Sequence, residues 1–200
     1  MIHGVPRFSG AVLCGGQSRR MGRDKALIPV GGTPMVLRVA EALWVAGARD
    51  VVGVGREPDA LAALRLATMP DGRPGAGPAA GIATALAWAD GDELVMVVGC
   101  DLVAPSPAAI GATLAALAQH PTAGVAVPVN GGRTQWHHAA WRPSAGPALE
   151  RALGAGARSV GAVVAAAGLA VVGVHGIDPT ALADADVPGD LPVGRDGQGA

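Results

Sequence analysis

The stretch LCGGQSRRMGRDKALIPVGG, Leu13 to Gly32, concentrates the chemistry of this chain. Gly15, Gly16 and Gly22 can turn their N–H groups inward without a Cβ clash, and successive inward donors make an anion cradle. Arg19, Arg20 and Lys25 add formal positive charge. That combination suits a triphosphate: backbone donors for the non-bridging oxygens, and a mobile ammonium for charge that develops during reaction. The stretch is not a Walker A loop. Arg23-Asp24 follows Gly22 where Lys-Ser/Thr is required, and the spacing from Gly16 is one residue too long. Lys25 is also the only lysine in the chain. In a composition crowded with alanine, glycine and arginine, which looks like codon bias, lysine is expected to drift to arginine, so a single survivor in this loop draws notice.

Four further segments carry groups of interest. In GCDLVAP, Asp101 directly follows a buried strand, where many α/β enzymes hold Mg²⁺ with one or two carboxylates, substrate phosphate and water. Capping of the helix that starts near Ser106 is the structural alternative for this residue. The loop PDGRPGAGPAAG, from Pro70-Asp71, permits close approach to a flat or phosphorylated ligand. In DADVPGDL, Asp184 and Asp186 are two residues apart and share a face if extended, so they could complete a metal site or be solvated loop charges. His137 and His138 are adjacent and point to opposite faces of a strand, which prevents chelation of one metal. Arg133, just before them, could reach an acidic substrate. No Ser-His-Asp order, CxxC or HExxH pattern is present, which removes triad-hydrolase and zinc-site chemistry.

These groups need a scaffold, and the rest of the chain describes one. Its 200 residues are half apolar, with no Tyr and one Phe, so Ala, Val, Leu and Ile must build the core. Small branched residues suit a closely packed parallel sheet with helices. The net charge of -1 gives no reason for general nucleic-acid binding, so any anion site must be local. No apolar run reaches the roughly 18–20 residues of a spanning helix, and the N-terminus lacks a hydrophobic signal region. Only Cys14 and Cys100 are present, at the ends of expected core strands; reduced thiols and a cytoplasmic location follow.

Strands are expected at SGAVL, DVVGVG, LATMP, ELVMVVGCD, GVAVPV and LAVVGVHG, with a short extended turn at ALIPVGGTP. Helical spacing covers PMVLRVAEALWVAG, Glu57–Leu64, 80–89, 106–118, 146–153 and 159–167. GRTQWHHAAWRP reads as a strand of the same sheet or a hairpin. The alternation predicts an α/β fold: a single doubly wound, mainly parallel, Rossmann-like sheet with a late antiparallel insertion. One domain spans 1–192, and 193–200 form a frayed tail. Ligands of such sheets sit beyond the carboxyl ends of the strands.

LCGGQSRRMGRDKALIPVGGTPM resembles the signature L-A-G-G-x-S-x-R-M-G-x-D-K-A-L-L, followed by G-x-P, of the molybdenum cofactor guanylyltransferases (MobA type), within the Rossmann-like nucleotidyltransferases. PGAGPAAGI is similar to the family's P-G-x-G-P-L-A-G-I, GCDL to C-D-x-P, GAGARSV to A-G-x-R, and DADVPGDL to N/D-x-N/D-T-P-E-D-L. The order and spacing follow the family over nearly the whole chain. The resemblance implies transfer of GMP from GTP to the terminal phosphate of molybdopterin cofactor, with diphosphate released and Mg²⁺ as cofactor.

Carried over, Gly15, Gly16 and Gly22 would shape the phosphate loop, Leu13 would bind GTP beside them, and Arg20 and Lys25 would hold the nucleotide phosphates. Asp101 would bind Mg²⁺. Asp71 would contact the nucleotide, and Gly77, Pro78 and Gly81 would line the base pocket. Arg158 and Arg133 fall to the pterin side, and Asp186 to the pterin side or the metal shell. Transient contact with a molybdoenzyme or its chaperone is implied; nucleic acid and membrane are not. Related cytidylyltransferases resemble L-A-A-G-x-S-x-R-M-G-x-P-K. Gly15 and Asp24 depart from that pattern, and a second glycine leaves room for a purine. Other departures are Cys14 for Ala, the missing Pro two after Asp101, Ala79 for Leu, Val187 for Thr and Gly189 for Glu. A CTP-dependent enzyme and a non-catalytic nucleotide-binding module are the alternatives.

Overall fold

The computed structural model describes residues 7–15, 24–89, 91 and 93–185. In chain order the strands are β1 Phe8–Leu13, β2 Pro29–Val30, β3 Thr33–Pro34, β4 Val51–Val54 and β5 Ala67–Met69, then β6 Leu94–Gly99, β7 Val125–Asn130, β8 Arg133–Thr134, β9 His138–Trp141 and β10 Val171–Val174. The helices are α1 Met35–Val45, α2 Pro78–Trp88, α3 Pro107–Ala118, α4 Gly146–Gly154 and α5 Val160–Ala166. One sheet runs in the order β10-β7-β9-β6-β1-β4-β5, with β8 paired to β7, and β2-β3 is a separate antiparallel hairpin. Every pairing on the main path is parallel except the two made by β9, which lies antiparallel to both β6 and β7. The expected α/β sheet with a late antiparallel insertion is therefore present, and the inserted strand sits inside the sheet rather than at its edge.

Both faces of the sheet are covered, which explains the apolar continuity of β6: all six of its residues are buried. Met96 and Val98 pack with Val36, Val39 and Leu43 of α1 and with Ile110 and Leu114 of α3. Val95 and Val97 face the other way, with Ile82 and Leu86 of α2, Leu149 of α4 and Val163 of α5. Helix α1 buries Met35, Val36, Val39, Ala40 and Leu43 at helical spacing. Ser106 caps α3 by accepting from the Ala109 N–H, and Ser159 caps α5 through the Ala162 N–H.

One local expectation is corrected and one ambiguity resolved. The helix over Glu57–Leu64 reduces to a 3-10 turn at Ala62–Leu64, because Asp59 and Arg65 take φ of +64° and +55°. A right-handed helix cannot run through such residues. GRTQWHHAAWRP is both alternatives at once: Arg133–Thr134 closes a hairpin on β7, and His138–Trp141 joins the main sheet. The tail expected at 193–200 lies outside the described residues.

Candidate active site

The register of three adjacent strands builds the site. Leu13 of β1 is paired with Val54 of β4 on one side and Gly99 of β6 on the other, so these strands end in one row. The residues that follow each strand meet there: Cys14-Gly15, Gly55-Arg56 and Cys100-Asp101. Successive strands lie on both sides of β1, which makes this the switch point where open α/β sheets take their ligands. A cleft of about 200 Å³ opens here, lined by Leu13, Gly15, Lys25, Arg56, Pro78 and Asp101 among others.

Two glycines permit the close approach. A Cβ on Gly55, which has φ of +95°, would lie 2.6 Å from Gly15 Cα, so the loops after β1 and β4 pack backbone on backbone. A Cβ on Gly99 would lie 2.7 Å from Asp101 Oδ1; without it, the carboxylate folds over the end of its own strand. The space beside Gly15 is filled by Gly55 backbone, at 3.3 Å from where a Cβ would stand. A purine therefore gains no room at Gly15, contrary to the steric expectation.

Four charged side chains meet in the cleft as two pairs. Lys25 Nζ lies 3.5 Å from Asp101 Oδ2, both side chains about one-fifth exposed. Both terminal nitrogens of Arg56 donate to the Asp24 carboxylate, and Arg56 Nε donates to the Cys14 carbonyl at 3.1 Å. The hydrogen bond to Asp24 raises the Arg56 pKa above its ordinary value, against the opposing effect of burial. Asp24 also accepts from the Ala26 N–H at 3.1 Å, capping the 3-10 turn Lys25–Leu27. Beneath the cleft, a hydrogen bond to the Cys14 thiol, together with burial, pushes the Cys100 thiol well up. Both cysteines are free and buried, as expected.

Leu13, Gly15, Lys25, Pro78 and Asp101 are thus brought together. Gly81 stands behind them: a Cβ there would touch Leu13 Cδ2 at 3.1 Å, with Asp71 Oδ2 at 3.9 Å. Asp71 itself accepts from the Arg73 N–H. Gly77 precedes α2, beside the Arg158 carbonyl. The exposed Arg158 guanidinium donates to the carbonyls of Leu153 and Ala157, at the end of α4, and Arg133 is exposed on β8; neither lines the cleft. Asp184 is exposed and pairs with Leu102 in an isolated bridge. Gly16, Arg19, Arg20, Gly22 and Asp186 lie outside the described residues. Arg56 belongs to no motif read above. Its one sequence signal is shared with Asp101: it follows a buried strand at the same edge of the sheet.

Among the described residues no group of three or more His, Cys, Asp and Glu assembles a metal cage. Asp101 nonetheless offers what Mg²⁺ takes in phosphate-handling sites, a hard carboxylate in an open cleft, with phosphate and water supplying the remaining ligands. Its Oδ1 occupies the space that a side chain at Gly99 would fill.

A lysine–carboxylate pair at the switch point of a doubly wound sheet, beside backbone stripped of side chains, is an arrangement suited to phosphate chemistry in an α/β protein. Residues 10–170 match the MobA-like NTP transferase domain family. The molybdenum cofactor guanylyltransferase of Rhodobacter capsulatus is 33% identical over 189 residues, covering 92% of this chain and 93% of that one. The protein of the same name from Xanthomonas euvesicatoria is 38% identical over 108 residues, 54% of each chain. The fold is that of molybdopterin-guanine dinucleotide biosynthesis protein A from Archaeoglobus fulgidus, with a TM-score of 0.74 at 23% identity over 92% of this chain and 94% of that one. This chain belongs to the MobA-like NTP transferase family and is a nucleotidyltransferase. Among the described residues, no helix is long and apolar enough to cross a membrane.

Proposed function

We propose that the protein transfers GMP from GTP to the terminal phosphate of molybdenum-loaded molybdopterin, giving the guanine dinucleotide cofactor and diphosphate. The observation that carries this reading is the Lys25–Asp101 pair at the coincident ends of β1 and β6, in a chain whose relative matched almost end to end is named for that reaction. A phosphate oxygen of the pterin attacks the α-phosphorus of GTP. The new P–O bond forms as the bond to the bridging oxygen breaks, and that oxygen leaves with diphosphate. Such transfers need placement and charge neutralisation more than a covalent nucleophile, which accords with the lack of any triad.

Lys25 meets the negative charge that builds on the triphosphate, and the Leu13–Gly15 backbone with Pro78 bounds the nucleotide. Asp71 and the Gly77–Gly81 segment support the base side. Asp101 would hold magnesium, which when bound neutralises phosphate charge. Arg20, Gly16, Gly22 and Asp186 keep the roles the resemblance implies, and Arg158 and Arg133 the pterin side. The preference for GTP rests on the names of the relatives and on Asp24, which replaces the proline of cytidylyltransferases. The product would pass to a molybdoenzyme or its chaperone in the cytoplasm, with a single domain over 1–192 doing the work.

Diphosphate release from purified protein, Mg²⁺ and molybdenum-loaded molybdopterin tests this with GTP, CTP and ATP in parallel. Release with GTP alone is expected. Release with CTP would move the protein to the cytidylyl branch. No release, from folded protein that still binds GTP, would make it a binding module.

A further inference from the structure

We propose that Arg56 is a positioning residue, which holds the turn carrying Lys25 against Asp101 by gripping Asp24. A three-residue 3-10 turn has almost no stability of its own, so something outside it must set the direction of Lys25. Arg56 is well rooted for this. Its own N–H and that of Gly55 both donate to the Met69 carbonyl of β5, at 3.1 and 2.9 Å. From there the side chain crosses to β1, where Nε bonds the Cys14 carbonyl, and ends on Asp24 with both terminal nitrogens. Asp24 then joins the turn twice, through its carboxylate to Ala26 N–H and through its carbonyl to Leu27 N–H.

The grip ties β4, β1 and the Lys25 turn into one body whose next contact is Lys25 with Asp101 on β6. A planar guanidinium on a carboxylate fixes direction as well as distance, and lysine cannot reproduce that fork. The pair is also self-contained. Three of the five guanidinium N–H groups are already committed within the protein. Two N–H groups remain beside the cleft, so direct phosphate binding by Arg56 is the alternative that the variants below separate from the grip.

The proposal rests on the guanylyl-transfer reading for what Lys25 does, and not for the grip itself. Because Lys25 is the sole lysine, its acetylation by an N-hydroxysuccinimide ester, followed by peptide mass spectrometry, reads its surroundings with no nucleotide present. Arg56→Gln, Arg56→Lys and the near-isosteric Asp24→Asn are each expected to raise the acetylation rate several-fold. In the transfer assay each should lower kcat on the order of 10²-fold, the cost of a misplaced catalytic group, with a smaller change in KM. The double variant should be no worse than either single one, because both remove the same contact.

Unchanged Lys25 acetylation in folded Arg56→Gln and Asp24→Asn protein overturns the proposal. So does a pattern in which Arg56→Lys restores activity while Asp24→Asn leaves it intact, which would make Arg56 a phosphate ligand. If the wild type proves to transfer no nucleotide, the acetylation rates decide the grip alone, and the loss is confined to the functional reading.

Discussion

The cleft and the centre of the sheet treat polar groups in opposite ways. At the ends of β1, β4 and β6, four charged side chains sit partly exposed, each against a partner of opposite sign. In β9, His138 is 2% exposed, and neither ring nitrogen meets a hydrogen-bond partner at good geometry among the described residues. Burial pushes its pKa down to about 4, outweighing the nearby Ala109 backbone, which favours the charged form. Charge is kept where it is paired and within reach of a ligand, and surrendered where it is not. The difference lies in surroundings: His138 is flanked by His137, which is exposed and lines the cleft.

Lys25→Ala gives the largest expected effect. Turnover should fall on the order of 10²–10³-fold, the usual loss for one group that stabilises transition-state charge, with the thermal midpoint nearly unchanged. Near-normal turnover from a folded sample would show that the paired charges of the cleft are structural, like those of any surface.

His138 sharpens the comparison from the other side. The unfolded chain takes up a proton at its imidazole near the ordinary pKa of 6.5, while the folded form resists until about 4. This histidine therefore costs nothing well above pH 6.5, and it removes stability progressively as pH falls from there to 4. The loss reaches about 3 kcal/mol by the lower limit, from 1.36 kcal/mol per unit of separation. Denaturation curves at neutral and acidic pH should show a weaker acid loss in His138→Leu than in wild type. Parallel losses in the two proteins would mean that this imidazole is not buried in its neutral form.

Gly55→Ala attacks the joint between the loops of the cleft. With φ of +95° and Gly15 Cα 2.6 Å from the new methyl, it should cost about 1–3 kcal/mol of stability and depress transfer along with it. Unaltered melting and activity would deny that the two loops press on each other. The smallest effect belongs to Arg73 and Glu150, an ion pair with both side chains nearly half exposed. Glu150→Ala should change stability by less than about 1 kcal/mol, read as a shift in the urea midpoint.

Much of the molecule could be read before folding it. Periodicity placed α1 and α3, unbroken apolarity placed β6, and Gly15, Lys25 and Asp101, singled out by residue type, do line one cleft. Glu57–Leu64 misled, because helical spacing carries no warning that Asp59 and Arg65 adopt left-handed backbone. Gly15 misled in a subtler way. A missing side chain reads as space for a ligand, yet the space is taken by the backbone of Gly55 from another strand.

The amino-acid order alone determined the α/β class and the family, since those depend on local spacing and residue type. Only the tertiary structure decided which strand ends meet. Pairing of Leu13 with Val54 and Gly99 is a contact across distant parts of the chain, and no local signal encodes it. That row brings Lys25 to Asp101, joins Arg56 to Asp24, and leaves Arg133 and Arg158 outside the cleft.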